Sequence, residues 1–166
     1  METDDFYERQ ARWTEKQIRE GDKHGRLYSL VHVVDEDDHV WASRMLSIKQ
    51  KELRLEDVNG IYFRVLPENV KGAVWSRRGL WMQLNLEVAG QQHRLRFYSI
   101  AAQEITDSYA PKNWFGTLFP ALYVNTMRWL TQAQPIAKAN FAEAEKWRAV
   151  FPNAEFPSTE IKNAKS

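Results

Sequence analysis

Apolar and polar residues alternate along the chain from Leu80 to Ile100. Two alternating runs flank a polar AGQQ segment at 89–92, and this pattern predicts a β-hairpin. In the register that closes over all four loop residues, Leu84 lies opposite Phe97 on an apolar face. Oppositely charged residues then meet on the other face, so one register serves core burial and charge pairing together. A slip of one residue would turn every leucine outwards, so the rest of the predicted fold is built around this hairpin.

Two further hairpins are predicted before this one. Residues 27–34 and 39–49 alternate on either side of the acidic loop Asp35–Asp38, and both faces of the pair carry apolar residues, which predicts a cover on each side. Next, Asn59 and Gly60 separate two short runs, and both residues tolerate the positive φ of a type I′ turn. The faces of this later pair match poorly, so a β-bulge or a sharp bend is the alternative there.

A short strand at 70–75 completes the predicted sheet. A turn at Ser76–Gly79 would pair it with the predicted hairpin at 80–100, which we call the organising hairpin, and would set Trp75 against Leu80. The result is about seven strands that follow one another through short loops and are therefore antiparallel. Such a sheet must protect its edges, and we expect either a strongly bent sheet or a small barrel.

The N-terminal residues show helical periodicity. A helix is predicted to begin at Thr3 and to end near Gly21, with Phe6 and Trp13 as anchors at heptad spacing. Its apolar stripe is thin, which favours a helix packed on the surface of the domain. A protruding helix that binds a partner is the alternative.

After Ile100 the period becomes helical again. A wide apolar arc predicts a deeply buried helix at 114–130, with either a kink or a fresh helix start at Pro120, and a further helix is predicted at 136–151. The segment 101–109 also fits a short helix. We therefore expect two or three C-terminal helices packed on the sheet.

The predicted fold class is α+β. Its layout, about seven antiparallel strands in a bent sheet or barrel followed by an amphipathic helix that carries tryptophan, resembles that of pleckstrin-homology-like domains. In those domains a helix plugs one end of a bent barrel. The resemblance concerns the layout alone and implies no functional residue.

Length and composition define the domain and its setting. The 166 residues suffice for one domain with its own core. We assign 1–152 to a single α+β domain and 153–166, which is polar and interrupted by proline, to a mobile tail. Cysteine is absent, which excludes disulfides and zinc-thiolate sites and favours a reducing compartment. With an acidic N-terminus and no long apolar run, the chain is expected to be soluble and cytoplasmic, without a transmembrane segment.

Motifs of known catalytic chemistry are missing from the sequence. The patterns G-x-G-x-x-G, G-x-S-x-G and H-E-x-x-H and the P-loop do not occur. We therefore assign no catalytic residue and no cofactor, and a non-catalytic protein is favoured.

The densest candidate for a metal site is the segment His32–His39, where two imidazoles flank four carboxylates. Oxygen and nitrogen ligands of this kind could hold a divalent ion. An EF-hand register that starts at Asp35 would, however, place Leu46 where a glutamate is needed. The segment is therefore interpreted as a solvated turn without a metal.

Arginines and aromatic residues interleave around the organising hairpin. The residues predicted to face outwards there form a candidate interaction surface: Arg77, Arg78, Trp81, Arg96 and Tyr98. The leading hypothesis is a non-catalytic protein-interaction or self-associating domain, because exposed aromatics and opposite charge clusters suit a protein contact. The first alternative is nucleic-acid binding through the Arg77, Arg78 and Arg96 patch, which a net charge of +1 disfavours. A small-ligand-binding barrel or an enzyme without a recognisable motif is the further alternative, and peripheral membrane contact is disfavoured.

Overall fold

The computed structural model describes residues 2–100 and 134–157. In chain order the elements are α1 (Glu2–His24), β1 (Tyr28–Val34), β2 (Val40–Lys49), β3 (Glu52–Asp57), β4 (Gly60–Val65), β5 (Lys71–Arg78), β6 (Trp81–Val88), β7 (Gln91–Phe97) and α2, which is helical over 134–145. Short 3-10 helices lie at Pro67–Asn69 and Arg148–Val150. The predicted α+β class, the antiparallel strands and the N-terminal helix are confirmed.

The C-terminal part differs from the prediction. The described residues contain one C-terminal helix rather than two or three. This helix stops at 145 instead of continuing to 151, because Trp147 N–H donates to the Ala144 carbonyl three residues back and tightens the chain into a 3-10 turn. The helices predicted at 101–109 and 114–130 lie outside the described residues.

The seven strands form one antiparallel sheet in the order β4-β3-β2-β1-β7-β6-β5. Two meanders, β1–β4 and β5–β7, are joined where β1 pairs with β7. That seam consists of the pairs Val31–Phe97, His32–Arg96 and Val33–Leu95. No described strand pairs with the outer edge of β4 or of β5, so the described strands form an open sheet rather than a hydrogen-bonded barrel.

The sheet is strongly bent, as a ring contact across it demonstrates. In the strand order, β4 and β7 are separated by β3, β2 and β1, which in a flat sheet would place them roughly 19 Å apart. Nevertheless the rings of Phe63 on β4 and His93 on β7 meet edge to face, with centroids 4.8 Å apart. The sheet therefore curls around its inner face, which is the face that carries Leu84 and Leu95.

The organising hairpin is confirmed in its faces but not in its register. Leu84 and Leu95 are both 0% exposed, and they pair with each other, whereas Phe97 was the predicted partner of Leu84. The turn has two residues, Ala89 and Gly90, instead of four. Their φ values of 50° and 80° fit a type I′ turn. A shift of two residues keeps every side chain on its predicted face, since the period of a strand is two.

The predicted turn between β5 and β6 is wrong. Strand β5 extends to Arg78, so the turn is Gly79–Leu80 rather than Ser76–Gly79. As a result Trp75 pairs with Leu84 on β6 instead of with Leu80. Gly79 has a φ of 60°, as the first position of a type II′ turn requires.

The β3–β4 hairpin turns one residue earlier than predicted. Asp57 pairs with Gly60, so the turn is Val58–Asn59 rather than Asn59–Gly60. The Asp57 carboxylate accepts the Asn59 N–H at 2.8 Å, which is an Asx-turn bond. A hydrogen bond to the Asp57 carboxylate thus stabilises this turn, which is not the type I′ turn predicted at Asn59–Gly60.

Two β-bulges interrupt the first meander. The expected irregularity between β3 and β4 is confirmed: the register shifts between Leu55 and Glu56, and Tyr62 is the extra residue on β4. A second shift, between β1 and β2, makes Trp41 the extra residue on β2. Bulges break the two-residue alternation and re-aim side chains.

Helix α2 covers the inner face of β1 and of β5–β7. Trp147 is 0% exposed and donates its indole N–H to Ser29 Oγ on β1 at 2.8 Å. The Asn140 amide donates to the Leu80 carbonyl at 2.9 Å and accepts the Ser99 N–H at 2.8 Å. A buried polar group without a partner would cost about 1–3 kcal/mol. These hydrogen bonds therefore fix both the position and the rotation of the helix on the sheet.

Helix α1 covers the outer face of β1–β3, as expected for a packed surface helix. Phe6 and Trp13 are partly buried. Gln17 accepts a hydrogen bond from Lys49 Nζ at 2.9 Å, and Gln10 accepts a backbone N–H of the β3–β4 turn at 3.1 Å. The helix is thus attached through amide side chains as well as through its aromatic anchors.

The helix continues to His24 instead of ending near Gly21, because Gly21 has a packing role. A Cβ atom on Gly21 would lie 2.6 Å from the ring of Tyr28 on β1. The chain leaves the helix at Gly25, where Arg26 N–H donates to the Gly21 carbonyl at 2.9 Å in the pattern of a Schellman motif. Gly21 is therefore a contact residue and not a helix terminator.

No helix in the described part of the chain is long and apolar enough to cross a membrane. The division into a 1–152 domain and a 153–166 tail stays a prediction. Beyond its boundary, Phe156 packs its ring against Trp75 with centroids 5.1 Å apart. The tail residues 158–166 lie outside the described residues.

Leu84→Asp is expected to unfold the domain, while Asn85→Asp should leave it folded. Leu84 is fully buried, and an unpaired buried carboxylate costs several kcal/mol against a total stability of about 5–15 kcal/mol. Asn85 lies on the outer face and accepts a hydrogen bond from Gln83 Nε2 at 2.8 Å, which aspartate can also accept. Thermal melts followed by circular dichroism measure the difference, and equal melting temperatures would contradict the assigned faces.

Candidate functional site

The structure divides the predicted interaction surface between the two faces of the sheet. Arg77 pairs with Met82 and lies on the inner face, where its guanidinium sits over the Phe141 ring of α2 at 4.8 Å. The remaining members of the surface lie on the outer face: Arg78, Trp81, Arg96 and Tyr98. The five residues therefore do not form one continuous surface.

Two members of that surface are engaged within the protein. Arg96 Nη2 donates to Asp38 Oδ1 at 2.6 Å, and only 11% of the Arg96 side chain is exposed. Tyr98 stacks on His32 with ring centroids 4.1 Å apart, and burial raises the pKa of Tyr98. Both side chains thus contribute mainly to the packing of the domain itself.

A serine and a histidine meet on the outer face. Ser43 Oγ lies 3.0 Å from His32 Nδ1, the separation that a nucleophile and its base require. Burial, together with the positive charge of Arg96, lowers the pKa of His32. A catalytic histidine of this type is oriented by a carboxylate or a similar acceptor, and among the described residues none bonds to His32. Within residues 2–100 and 134–157 the pair thus has no third member of a catalytic triad.

The acidic loop brings Asp35, Asp37 and His39 together, with one ligand atom from each within 4.8 Å of the others. The Asp35 carboxylate accepts the backbone N–H of Asp37 at 2.9 Å and that of His39 at 2.8 Å. These bonds make a local turn in which the carboxylate has a structural role. The cluster is explained as a hydrogen-bonded turn, and the lack of a resident metal stays a prediction.

Calcium, magnesium, manganese and zinc are each expected to leave the melting temperature unchanged. A metal site at a hundred times its dissociation constant would stabilise the fold by about 2.7 kcal/mol, which a thermal-shift measurement resolves. The control is the double variant Asp35→Asn, Asp37→Asn. A metal-dependent rise in the wild type that disappears in this variant would establish a site in the loop.

A cleft of about 690 Å³ opens beside the acidic loop, between the ends of β1, β2, β4 and β7. Its walls combine charged, amide and aromatic side chains. Those that define its chemistry are Glu36, Trp41, Arg44, Tyr62, His93 and Arg94. None of these residues belongs to the interaction surface predicted from the sequence, and only Glu36 belongs to the predicted acidic loop.

Arg44 is the centre of this cleft. Its guanidinium lies 4.6 Å from the Trp41 ring and 3.3 Å from the Tyr62 ring, so two aromatic faces enclose one cation. Only 7% of the side chain is exposed, and Nε lies 3.8 Å from Asp57 Oδ2. Among the described residues, Nε has no hydrogen-bond partner. The two ring contacts and one distant carboxylate therefore help to stabilise the buried cation.

The groups around Arg44 have altered pKa values. Burial raises the pKa of Tyr62, and so does the hydrogen bond that its hydroxyl donates to Asp57 Oδ2 at 2.8 Å. Burial lowers the pKa of His93, and the nearby positive charge of Arg44 lowers it further. At neutral pH the cleft thus presents a phenol and a neutral imidazole around one fixed cation.

Most of the exposed large apolar side chains lie on or beside β2 and β4. Eight large apolar side chains are exposed in the described part of the chain, and five of them lie at the start of β2 or along and just after β4. These five form what we call the bulge patch: Val40, Trp41, Ile61, Tyr62 and Leu66. Trp41 is 59% exposed and Tyr62 is 41% exposed. Four of the five lie at the start of β2 or of β4, and Leu66 follows the opposite end of β4.

Sequence reasoning missed this site because it depends on the two bulges. In a regular strand Trp41 would point away from Arg44, since their separation of three residues puts them on opposite faces. The bulge at Trp41 reverses that alternation, and the bulge at Tyr62 does the same on β4. The mismatched faces of the β3–β4 pair were the one available signal, and they indicated the bulge without its consequence.

Comparison of the chain with protein-family models, with curated proteins and with solved structures finds no match.

Lowering the pH from about 7.5 to about 5.5 is expected to destabilise the fold partly through His93. Its folded-state pKa lies below its ordinary value of 6.5, so the unfolded chain binds more protons in this window and stability falls with the pH. Replacing the histidine by asparagine should therefore reduce the loss of melting temperature. The exposed neighbour variant Gln92→Ala, which removes no titrating group, should keep the wild-type slope. An unchanged slope in His93→Asn would contradict the assignment.

Proposed function

We propose that this chain is a non-catalytic protein-interaction domain and that the bulge patch, with Arg44 at its centre, is its contact surface. The observation that supports the proposal is that two exposed aromatic rings, those of Trp41 and Tyr62, lie against one buried guanidinium, with three further exposed apolar side chains on or beside the same strands. Soluble proteins rarely leave a contiguous apolar patch exposed unless a partner covers it. Withdrawing these side chains from water would supply the binding free energy.

The composition of the patch favours a protein partner. Tryptophan, tyrosine and arginine are the residues most enriched among those that dominate binding energy at protein interfaces. Here all three are in contact, and the rings hold the arginine in one position. A pre-ordered side chain loses little conformational entropy on binding. The arrangement thus suits a rigid anchor better than a catalytic centre.

This location differs from the surface predicted around the organising hairpin. The nucleic-acid alternative depends on cations that can displace counterions from phosphates. Of the three arginines in question, Arg96 pairs with Asp38 and Arg77 lies over the Phe141 ring. The protein-interaction proposal is preferred because its two aromatic residues, Trp41 and Tyr62, remain exposed.

We further propose that the protein is cytoplasmic and that its layout is pleckstrin-homology-like. The absence of cysteine from all 166 residues supports a reducing compartment such as the cytoplasm. The curled antiparallel sheet with α2 across its inner face supports a pleckstrin-homology-like layout. Neither feature carries the functional argument, which depends on the bulge patch alone.

Trp41→Ala is expected to weaken capture of the partner by about 2 kcal/mol or more, which is roughly 30-fold in affinity. The matched control is Val74→Ala, because Val74 is 55% exposed on β5, at the opposite edge of the sheet. Tagged wild-type, Trp41→Ala and Val74→Ala proteins are compared for the proteins that each recovers from a lysate, with melting temperatures as a folding check. Loss of a recovered protein, or of further copies of the chain, in Trp41→Ala alone would support the proposal. Equal recovery by all three would contradict it.

A further inference from the structure

The sheet has two edge strands, and they differ in how they are protected. Strand β5 carries the cations Lys71, Arg77 and Arg78, and its pairing with β6 is interrupted by a bulge before Val74. Residues 149–154 line a groove together with the start of β5, so the C-terminal segment runs beside that strand. Charges, bulges and covering segments are the devices that prevent an edge strand from pairing with another chain.

Strand β4 has less protection. Arg64 is its only charged residue, and within the described part of the chain its outer edge has no pairing strand. Ile61, Tyr62 and Leu66, which lie along or directly after the strand, are 46%, 41% and 41% exposed. Like β5, β4 carries a bulge, but most of its exposed large side chains are apolar rather than charged. An exposed apolar edge of this kind is a template for a further strand.

A second copy of the chain offers the same edge. When two identical strands meet about a twofold axis they run antiparallel, which is the pairing that already holds throughout this sheet. The C-terminal end of β4, which carries Arg64, then lies beside the N-terminal end of β4 in the other copy. Arg64 of one copy is thereby kept away from Arg64 of the other.

The charges at the two ends of β4 are complementary in that arrangement. Near its N-terminal end lies the acidic loop, since Glu36 lines the same cleft as Tyr62, and Glu36 and Asp37 are both exposed. At its other end the Arg64 side chain is 59% exposed and shares Glu52 with Arg54, so this trio keeps one net positive charge. A twofold pair would bring the positive end of each copy to the acidic loop of the other.

We propose that two copies of this chain associate through the outer edges of β4, antiparallel about a twofold axis, with Arg64 of each copy facing the Glu36–Asp37 loop of the other. The association buries the bulge patches of both copies and extends the sheet across the pair. It rests on the proposed function, because it names the partner of the same contact surface.

The test is sedimentation velocity of the full chain over a concentration series, with two charge-reversal variants. Arg64→Glu and the double variant Glu36→Lys, Asp37→Lys each place like charges at both contacts of their own pair. Each is expected to raise the dissociation constant of the pair by at least about tenfold. Mixing the two variants in equal amounts matches opposite charges at both contacts, so the mixture should associate as the wild type does.

The edge is tested by a second matched set. Ile61→Lys on β4 and Val74→Lys on β5 replace apolar residues of similar exposure, 46% and 55%. Ile61→Lys should abolish association, while Val74→Lys should leave it unchanged. Melting temperatures confirm that each variant is folded before its association is compared.

The outcomes distinguish failure of the proposed pairing of two copies from failure of the proposed interaction function. A wild type that is monomeric at all concentrations overturns the second-copy inference, while Trp41-dependent capture of a different protein would still support the proposed function. Association that survives both charge reversals, or that is lost in Val74→Lys instead of Ile61→Lys, overturns the geometry. A mixture of the charge variants that fails to associate also overturns it. Monomeric protein without any Trp41-dependent capture would refute both.

Discussion

The seam between β1 and β7 is the constraint on which the rest of the structure depends. Three residue pairs join two meanders that would otherwise be separate sheets. Trp147 reinforces the seam from the inner face, since its ring lies 6.1 Å from that of Phe97 on β7 and its indole N–H reaches Ser29 on β1. Because one short pairing holds both halves, the sheet can curl sharply there. That curl brings Phe63 against His93 and creates the cleft around Arg44.

The sequence patterns predicted which residues face the core but not which residues pair. Leu84 and Leu95 were expected inside and are fully buried, yet Leu84 pairs with Leu95 instead of Phe97. A period of two cannot distinguish registers that differ by two residues, because both keep the same faces. The geometry of the turn selects the register. The two-residue turn at Ala89–Gly90 has the two positive φ angles that a type I′ turn requires.

The candidate site around Arg44 could not be predicted from the alternation of apolar and polar residues, for a different reason. Trp41 and Tyr62 lie on β2 and β4, which are not neighbours in the sheet, and each ring reaches Arg44 only because it occupies a bulge. A bulge can be suspected from mismatched faces, as it was between β3 and β4, but the direction in which it turns a side chain depends on the bend of the whole sheet. The side chains of Trp41, Tyr62 and Arg44 meet only when the β1–β7 pairing, the curl of the sheet and both bulges have formed.

The exposure of the bulge patch follows from how Arg44 is held. A guanidinium that is 7% exposed and whose Nε has no hydrogen-bond partner among the described residues is costly to bury. The two rings offset part of that cost through their π faces, and to do so they must stay over the cation. Phe63 and His93 occupy part of the inner side of this end in edge-to-face contact, and the open cleft lies beside them. Exposed aromatic surface is thus a consequence of stabilising the cation, and a partner that covers the rings would strengthen the same contacts by removing water from them.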